Sequence, residues 1–366
     1  QVPLHGHAIE ARICAENPAQ GFLPATGTLR TLRTPQASRF TQGPVRLDMG
    51  VSAGDAISPH YDSMIAKLIV HADTREAALA RMDQALADLH ITGLQHNVGF
   101  LRRLVRTESF AHARLDTALI EREQAALFGP AQAQAQRLHL RDALLGASLR
   151  WWLDAQSASD APASDPWSRG DGWALHGHSQ RSLSWGWPQP GGAQTLKVHL
   201  LQARDGRIHL HCSDTEGAVL DAEVTALCAQ REASGLHLRA QVNGQPWSAH
   251  VDLARLGDAT HGPGLGPACD VFTAHGHTTL HHLDPLAQHD VHLGGGSDQV
   301  KAPMPGKVIA VLVNAGQAVK AGEPLVITEA MKMEHSLTAP RDGTVAELLC
   351  SVGDQVAEGT ELLKLE

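Results

Sequence analysis

The chain has 366 residues, with 30 Lys and Arg against 39 Asp and Glu, a formal net charge of −9. That balance leaves no basic footprint for nucleic acid or anionic lipid, and no apolar run approaches the length of a membrane span. Five scattered cysteines (Cys14, Cys212, Cys228, Cys269 and Cys350), odd in number and without metal-ligand spacing, point to a reducing compartment, the cytoplasm.

The chain opens Gln1-Val2-Pro3-Leu4-His5-Gly6-His7, without initiator methionine or signal-peptide pattern, as the back part of a longer polypeptide would. Its length suits two or three domains. All seven tryptophans lie between 151 and 247, whereas residues 300–366 hold no Phe, Trp or Tyr. Gly129-Pro130 with the Ala/Gln run to Gln136, and the stretch His289–Gln299 containing Gly294-Gly295-Gly296-Ser297, read as linkers. The expected parts are 1–128, 137–284 and 300–366, with 285–299 as a flexible connection.

In the first part, His7-Ala8-Ile9-Glu10-Ala11-Arg12-Ile13-Cys14 alternates apolar and polar residues as a half-buried strand does. Asp73-Thr74-Arg75-Glu76 has capping-box spacing, and Leu79, Met82, Leu86 and Leu89 follow at helical period. Further helices are expected from Asn97 to Val105 and from Asp116 to Leu127. Three runs in this order, Glu10-Ala11-Arg12-Ile13-Cys14-Ala15-Glu16-Asn17-Pro18, Phe22-Leu23-Pro24-Ala25-Thr26-Gly27 and Tyr61-Asp62-Ser63-Met64-Ile65-Ala66-Lys67-Leu68-Ile69, resemble the C-terminal subdomain of biotin carboxylase. The resemblance implies that Arg12 is the catalytic arginine lying over the biotin ureido oxygen. A guanidinium suits that place, being permanently charged, planar and able to offer two donors to a developing negative charge. Read without the resemblance, Arg12 is a surface strand arginine paired with Glu10 or Glu16. Glu10 and Lys67 are neighbours without an assigned role. No Gly-rich phosphate loop, no carboxylate pair for Mg²⁺ and no base for bicarbonate occur in the chain. In the family these lie upstream, so ATP, Mg²⁺ and bicarbonate are expected to be used by the longer subunit, and this fragment alone is expected to be inactive.

In the middle part, Leu138–Leu153 reads as one amphipathic helix ending in the pair Trp151-Trp152. Alternating strands follow: Leu196/Val198/Leu200, a turn at Asp205-Gly206, then Ile208/Leu210/Cys212. Later Leu236/Leu238/Ala240/Val242 run into Asn243-Gly244, a strong hairpin signal. A helix followed by an antiparallel barrel resembles the domain that docks the carboxyltransferase β-subunit in acyl-CoA carboxylase α-subunits. Core packing is the expected use of most tryptophans, with interface anchoring the alternative. Among the 23 histidines, His209/His211 and His275, His277, His281 and His282 cluster, yet no set of three or four ligands at fixed spacing is evident and no metal site is expected.

The last part repeats itself. Residues 302–329 align without a gap on 339–366, offset by 37, with ten of 28 positions identical, among them Gly306/Gly343, Val308/Val345, Gly316/Gly353, Gly322/Gly359 and Glu329/Glu366. Two copies of a short-strand unit imply a flattened barrel or sandwich of quasi-twofold symmetry, with residues 330–338 as an exposed hairpin and Lys332 at its tip. The run Glu329-Ala330-Met331-Lys332-Met333-Glu334 in this setting resembles the biotin carrier domain of biotin-dependent carboxylases. There the lysine amine is acylated by biotin, whose ring carries a carboxyl group between two active sites. A lipoyl carrier shares the hairpin, but two flanking methionines favour biotin.

The order of parts resembles the biotin-carrying α-subunits of acyl-CoA carboxylases, and the wording is closest to 3-methylcrotonyl-CoA carboxylase. The fold expected is multi-domain α+β: a biotin carboxylase C-terminal subdomain of mixed sheet and helices, a helix plus antiparallel β-barrel for docking, and an all-β biotinyl carrier. The resemblance implies biotin on Lys332 as cofactor, a carboxyltransferase β-subunit and a biotin protein ligase as partners, an α/β hetero-oligomer, and a place in leucine catabolism. Propionyl-, geranyl- and acetyl-CoA carboxylase α-subunits share much of the pattern. A non-catalytic biotinyl carrier or scaffold subunit is the alternative of a different class.

Overall fold

The computed structural model describes residues 5–157, 178–189, 192–215, 217–232, 235–253, 266–283, 299–330, 333–357 and 359–366. Contacts divide the chain into two compact units, Gln1–Arg106 with His292–Glu366, and Thr107–Val291.

The strand His7–Cys14 pairs antiparallel with Met64–Ala72, which pairs antiparallel with Val45–Met49. The period-2 pattern works as written: Ile9, Ala11 and Ile13 are buried while Glu10 and Arg12 are exposed. Leu68 and Val70, both fully buried, extend the same inward face. The helix Arg75–Ala87 covers it with Ala78, Leu79, Met82, Ala85 and Leu86. Each large apolar side chain so buried contributes about 1.5–3 kcal/mol. Thr74, rather than Asp73, is the N-cap, its hydroxyl accepting from the Ala77 N–H at 3.2 Å. The next helix runs Val98–Val105, one residue inside the expected start. The single helix expected over 116–127 is two short ones, Leu119–Arg122 and Gln124–Phe128, because Glu123 leaves the helical region at φ −93°, ψ 12°.

The Ala/Gln run read as a linker is helical. Pro130, whose missing N–H costs nothing in a first turn, opens a helix that continues to Ser157. This helix is not amphipathic where it matters. Every residue from Asp142 to Leu149 is buried, which a helix lying on a surface cannot achieve. Its surroundings explain the pattern. Eight antiparallel strands, from Ser179–Gln189 to His277–Leu283, close into a barrel, the last pairing back on the first through Ser184↔Leu283. The helix contacts Gly192–Gln202, Gly217–Glu232, Gln245–Leu253, Ala268–Phe272 and His277–Leu283, strands on opposite sides of that barrel. Leu144, Leu145 and Leu149 therefore share one core with Val198, Leu210, Leu238, Val251 and Leu280. Trp185 is also in that core, its indole N–H donating to Ser148 Oγ on the helix at 3.1 Å. Trp151, Trp152, Trp187 and Trp247 pack against it, so core packing accounts for five tryptophans. Trp167 and Trp173 lie outside the described residues. Both expected hairpins form, the second through a two-residue turn with Asn243 at φ 49° and Gly244 at φ 76°.

Residues 299–366 make two four-stranded sheets. One has the order Gln299–Lys301, Glu361–Leu365, Gly343–Leu348, Ala318–Val319; the other Met333–Thr338, Pro324–Ala330, Gly306–Val311, Gln355–Val356. Each copy of the repeat lends its two-residue strand to the sheet of the other copy. The exchange recurs hydrogen bond by hydrogen bond at an offset of 37. Gly316 N–H donates to Val345 O (2.7 Å) and Gly353 N–H to Val308 O (2.8 Å), while Gly322 and Gly359 donate to Ala339 and Ala302. A Cβ on Gly306 would lie 2.7 Å from Glu329 O, and one on Gly343 2.7 Å from Glu366 O, so the repeated glycine answers a repeated close approach. The core between the sheets is Val308, Leu325, Val326, Val345, Leu362, Leu363 and their neighbours.

Candidate functional site

Two places carry the residues singled out from the sequence. The first is the hairpin. Pro324–Ala330 and Met333–Thr338 pair with Glu329 opposite Glu334 and Ala330 opposite Met333. Met331 and Lys332, the two residues joining the strands, lie outside the described residues. Glu329 and Glu334 are exposed, a like-charge pair that strand stability alone would disfavour. One register step further from the join, Thr328 is buried and faces His335, whose imidazole burial pushes below its ordinary pKa. The hairpin thus has a buried residue, Thr328, at its base and an exposed acidic pair one register step before Ala330 and Met333.

The second is the outward face of the three-stranded sheet. Directly paired residues of antiparallel strands point to one side, and the register Arg12↔Lys67↔Asp48 sets a cation, a cation and an anion in a row. Arg12 Nε lies 3.5 Å from Glu10 Oε1, with side chains 68% and 44% exposed, so the pair is loose and the guanidinium remains open to solvent. Asp48 is held by Arg46 through a 2.8 Å hydrogen bond to Oδ2, which keeps its carboxyl below the usual range; the N–H of Phe40 and the charge of Lys67 add to this. Glu16, the alternative partner of Arg12, accepts from Ser63 Oγ at 2.7 Å.

The runs around Arg12 are explained locally by the turns that hold this strand. Asn17 Oδ1 accepts from Ala19 N–H and starts the short helix Pro18–Gln20, and Gly21 closes it at φ 66°. Phe22 meets Phe100 edge-on, ring centroids 4.9 Å apart. Ser63 O receives the N–H of Ala15, and Asp62 Oδ1 that of Met64. Asn97, 7% exposed, donates from Nδ2 to Arg12 O at 3.0 Å, while its Oδ1 accepts the Cys14 N–H at 3.0 Å. It pins the strand across the register shift between Ile13 and Cys14. Beside it, burial pushes the Cys14 thiol up to about 11, with the Glu16 charge adding to the effect, which favours the protonated form at neutral pH.

The histidine groups named from sequence are dispersed into separate pairs. His209 meets Asp221 (3.0 Å), His277 meets the buried Asp270 (2.9 Å), and His281 meets Gly266 O (3.0 Å). Among the described residues one other trio does converge, Glu232, His237 and His250, and sequence spacing concealed it, because two strand turns separate its members. All five cysteines are free, and no helix among the described residues is long and apolar enough to cross a membrane.

Comparison with known proteins falls on both places. Residues 10–122 match the protein family described as biotin carboxylase C-terminal domain, and residues 298–365 the one described as biotin-requiring enzyme. The whole chain is similar to the α-subunit of methylcrotonoyl-CoA carboxylase, mitochondrial, of Oryza sativa subsp. japonica, at 32% identity, covering 50% of that protein. The same subunit from Glycine max is 30% identical, again over the whole chain and 51% of the relative. The propionyl-CoA carboxylase α chain of Homo sapiens is 26% identical over the whole chain and 47% of its own length. The chain spans about half the length of the curated relatives it matches. The first family segment contains Arg12 and the second contains Lys332.

Proposed function

We propose that this chain belongs to the C-terminal portion of the α-subunit of a biotin-dependent acyl-CoA carboxylase of the methylcrotonoyl-CoA type, with a propionyl-, geranyl- or acetyl-CoA carboxylase α-subunit as the alternative. The observation that carries the reading is the symmetric carrier fold with only Met331 and Lys332 between the paired Ala330 and Met333. An amide between Lys332 Nζ and the biotin carboxyl, formed with loss of water by a biotin protein ligase, puts the ring system at the end of a long flexible arm on a rigid frame. Bound there, biotin supplies a ring nitrogen that accepts and gives up a carboxyl group.

The rest of the task falls to the protein. Arg12 is the catalytic residue of this half, offering two N–H donors from an exposed, backbone-anchored position to negative charge developing on the ring oxygen. Lys67, opposite Arg12 in register, adds positive potential on the same face. ATP, Mg²⁺ and bicarbonate belong to the preceding half of the subunit. The helix-filled barrel, lying between the two family segments, docks the carboxyltransferase β-subunit in an α/β hetero-oligomer. The domain limits 1–128, 137–284 and 300–366, with the second part drawn back to Pro130 because its helix starts there, and 285–299 as connection, all but Gln299 of it outside the described residues, complete the proposal together with a cytoplasmic setting. Met-Lys-Met favours biotin over lipoate.

Lys332→Arg in the full-length subunit assembled with its β-subunit tests the reading, since arginine keeps the charge but cannot form the amide. Loss of all acyl-CoA-dependent ATP turnover, with unchanged circular dichroism and assembly, is expected. Retained turnover contradicts it.

A further inference from the structure

The outer wall of the barrel carries a group of side chains that the carboxylase reading leaves unused. His237 on Gly235–Val242 and His250 on Gln245–Leu253 are directly paired across the two strands. Their rings stack with centroids 4.1 Å apart and planes 8° from parallel. Glu232, the last residue of the preceding strand Gly217–Glu232, turns its carboxylate to both of them. Oε1 lies 3.8 Å from His237 Nδ1, and Oε2 lies 3.6 Å from His250 Nε2. All three side chains are partly buried, between 22% and 27% exposed.

The separations discriminate between uses. A charge-assisted hydrogen bond between imidazole and carboxylate would close to about 2.7–2.9 Å. Two donors each about 2.0–2.1 Å from one tetrahedral ion lie roughly 3.4 Å apart. The two glutamate–histidine distances, 3.8 Å and 3.6 Å, one from each carboxylate oxygen, are nearer the second figure, and the three candidate donor atoms lie within 4.8 Å of one another. Two imidazoles and a carboxylate form a borderline donor set that suits zinc, cobalt or nickel rather than calcium or magnesium. Phe272, 7% exposed, is paired with His250 on its other side. An apolar wall there limits water and strengthens a metal–ligand interaction.

We propose that Glu232, His237 and His250 form a binding site for one divalent transition ion of the zinc class, held by His237 Nδ1, His250 Nε2 and a Glu232 oxygen, with water completing the coordination. The ion ties the ends of three consecutive barrel strands together. The two rings, now 8° from parallel, must splay apart on binding, because their lone pairs lie in the ring planes and have to converge on one point.

The test is titration of the 366-residue chain, stripped of metal by a chelator, with Co²⁺, followed by its visible absorption and by displacement with Zn²⁺. Glu232→Gln, which keeps size and neutralises the carboxylate, and the double variant His237→Gln/His250→Gln are measured alongside, with metal-free melting curves to confirm folding. One Co²⁺ per chain with a low-symmetry absorption spectrum is expected. Affinity should fall at least tenfold in Glu232→Gln and further in the double variant, and a Zn²⁺-dependent rise in melting temperature should occur in the unmodified chain alone. Co²⁺ uptake that is absent from the unmodified chain, or unchanged in folded variants because other histidines bind it, overturns the proposal.

Discussion

Asn97 donates its side-chain amide to the backbone carbonyl of Arg12, at 3.0 Å. The residue opens the helix Val98–Val105 without capping it, because its side chain serves the neighbouring strand instead. Asn97→Ala takes the partner from the Cys14 N–H and leaves the Arg12 carbonyl only the weak 3.9 Å contact from the Cys14 thiol, each loss costing about 1–3 kcal/mol. A loss of about 2–4 kcal/mol in urea unfolding is expected. Asn97→Asp, which keeps the acceptor for Cys14 but sets a carboxylate oxygen against the Arg12 carbonyl in a place only 7% exposed, should lose as much or more.

Gly146 decides a contest of opposite effects. In a free helix, replacing glycine by alanine stabilises by about 0.8–1 kcal/mol. Here a Cβ would sit 2.9 Å from Val271 Cγ1 and 3.3 Å from Val251 Cγ2, inside the barrel. Overpacking costs about 1–3 kcal/mol, so after the propensity gain Gly146→Ala should be destabilising by about 0–2 kcal/mol in thermal or urea unfolding. A stabilised Gly146→Ala would mean that the helix does not fill the barrel.

Asp83 supplies a pH dependence. Burial raises its pKa, but the hydrogen bonds from Arg106 (2.7 Å) and Arg102 (3.2 Å) prevail and the carboxyl ends below its ordinary value. A depressed native pKa contributes stability that is fully present above the unfolded value and is lost as pH falls through the native one. The stability difference between the unmodified chain and Asp83→Asn should therefore be level from pH 7 to about 5 and shrink below about 3.8. A difference that grows on acidification would contradict the assignment.

What could be read from the residues depended on how local the cause was. The carrier repeat was legible because each copy must satisfy the same turns, and Gly316, Gly322, Gly353 and Gly359 all adopt φ between 79° and 100°. Strand alternation around Arg12 and the Asn243-Gly244 turn are equally local. The barrel helix was misread for the opposite reason: Asp142–Leu149 is buried on all sides by strands that follow it in sequence, and helical periodicity records only a one-sided environment. The Ala/Gln run after Pro130 has linker composition and high helix propensity together, and packing nearby decides for the helix. Asn97 was legible as a helix start, but its bonds to residues 83 and 85 positions away were not. The Glu232, His237 and His250 trio likewise exists only through strand register.

The most direct measurement is the intact mass of the native, full-length protein from its own host, followed by peptide mapping. The account predicts an addition of about 226 Da, biotin less water, located on Lys332. An unmodified Lys332 in a host with active biotin protein ligase, or an addition of lipoyl size, would contradict it.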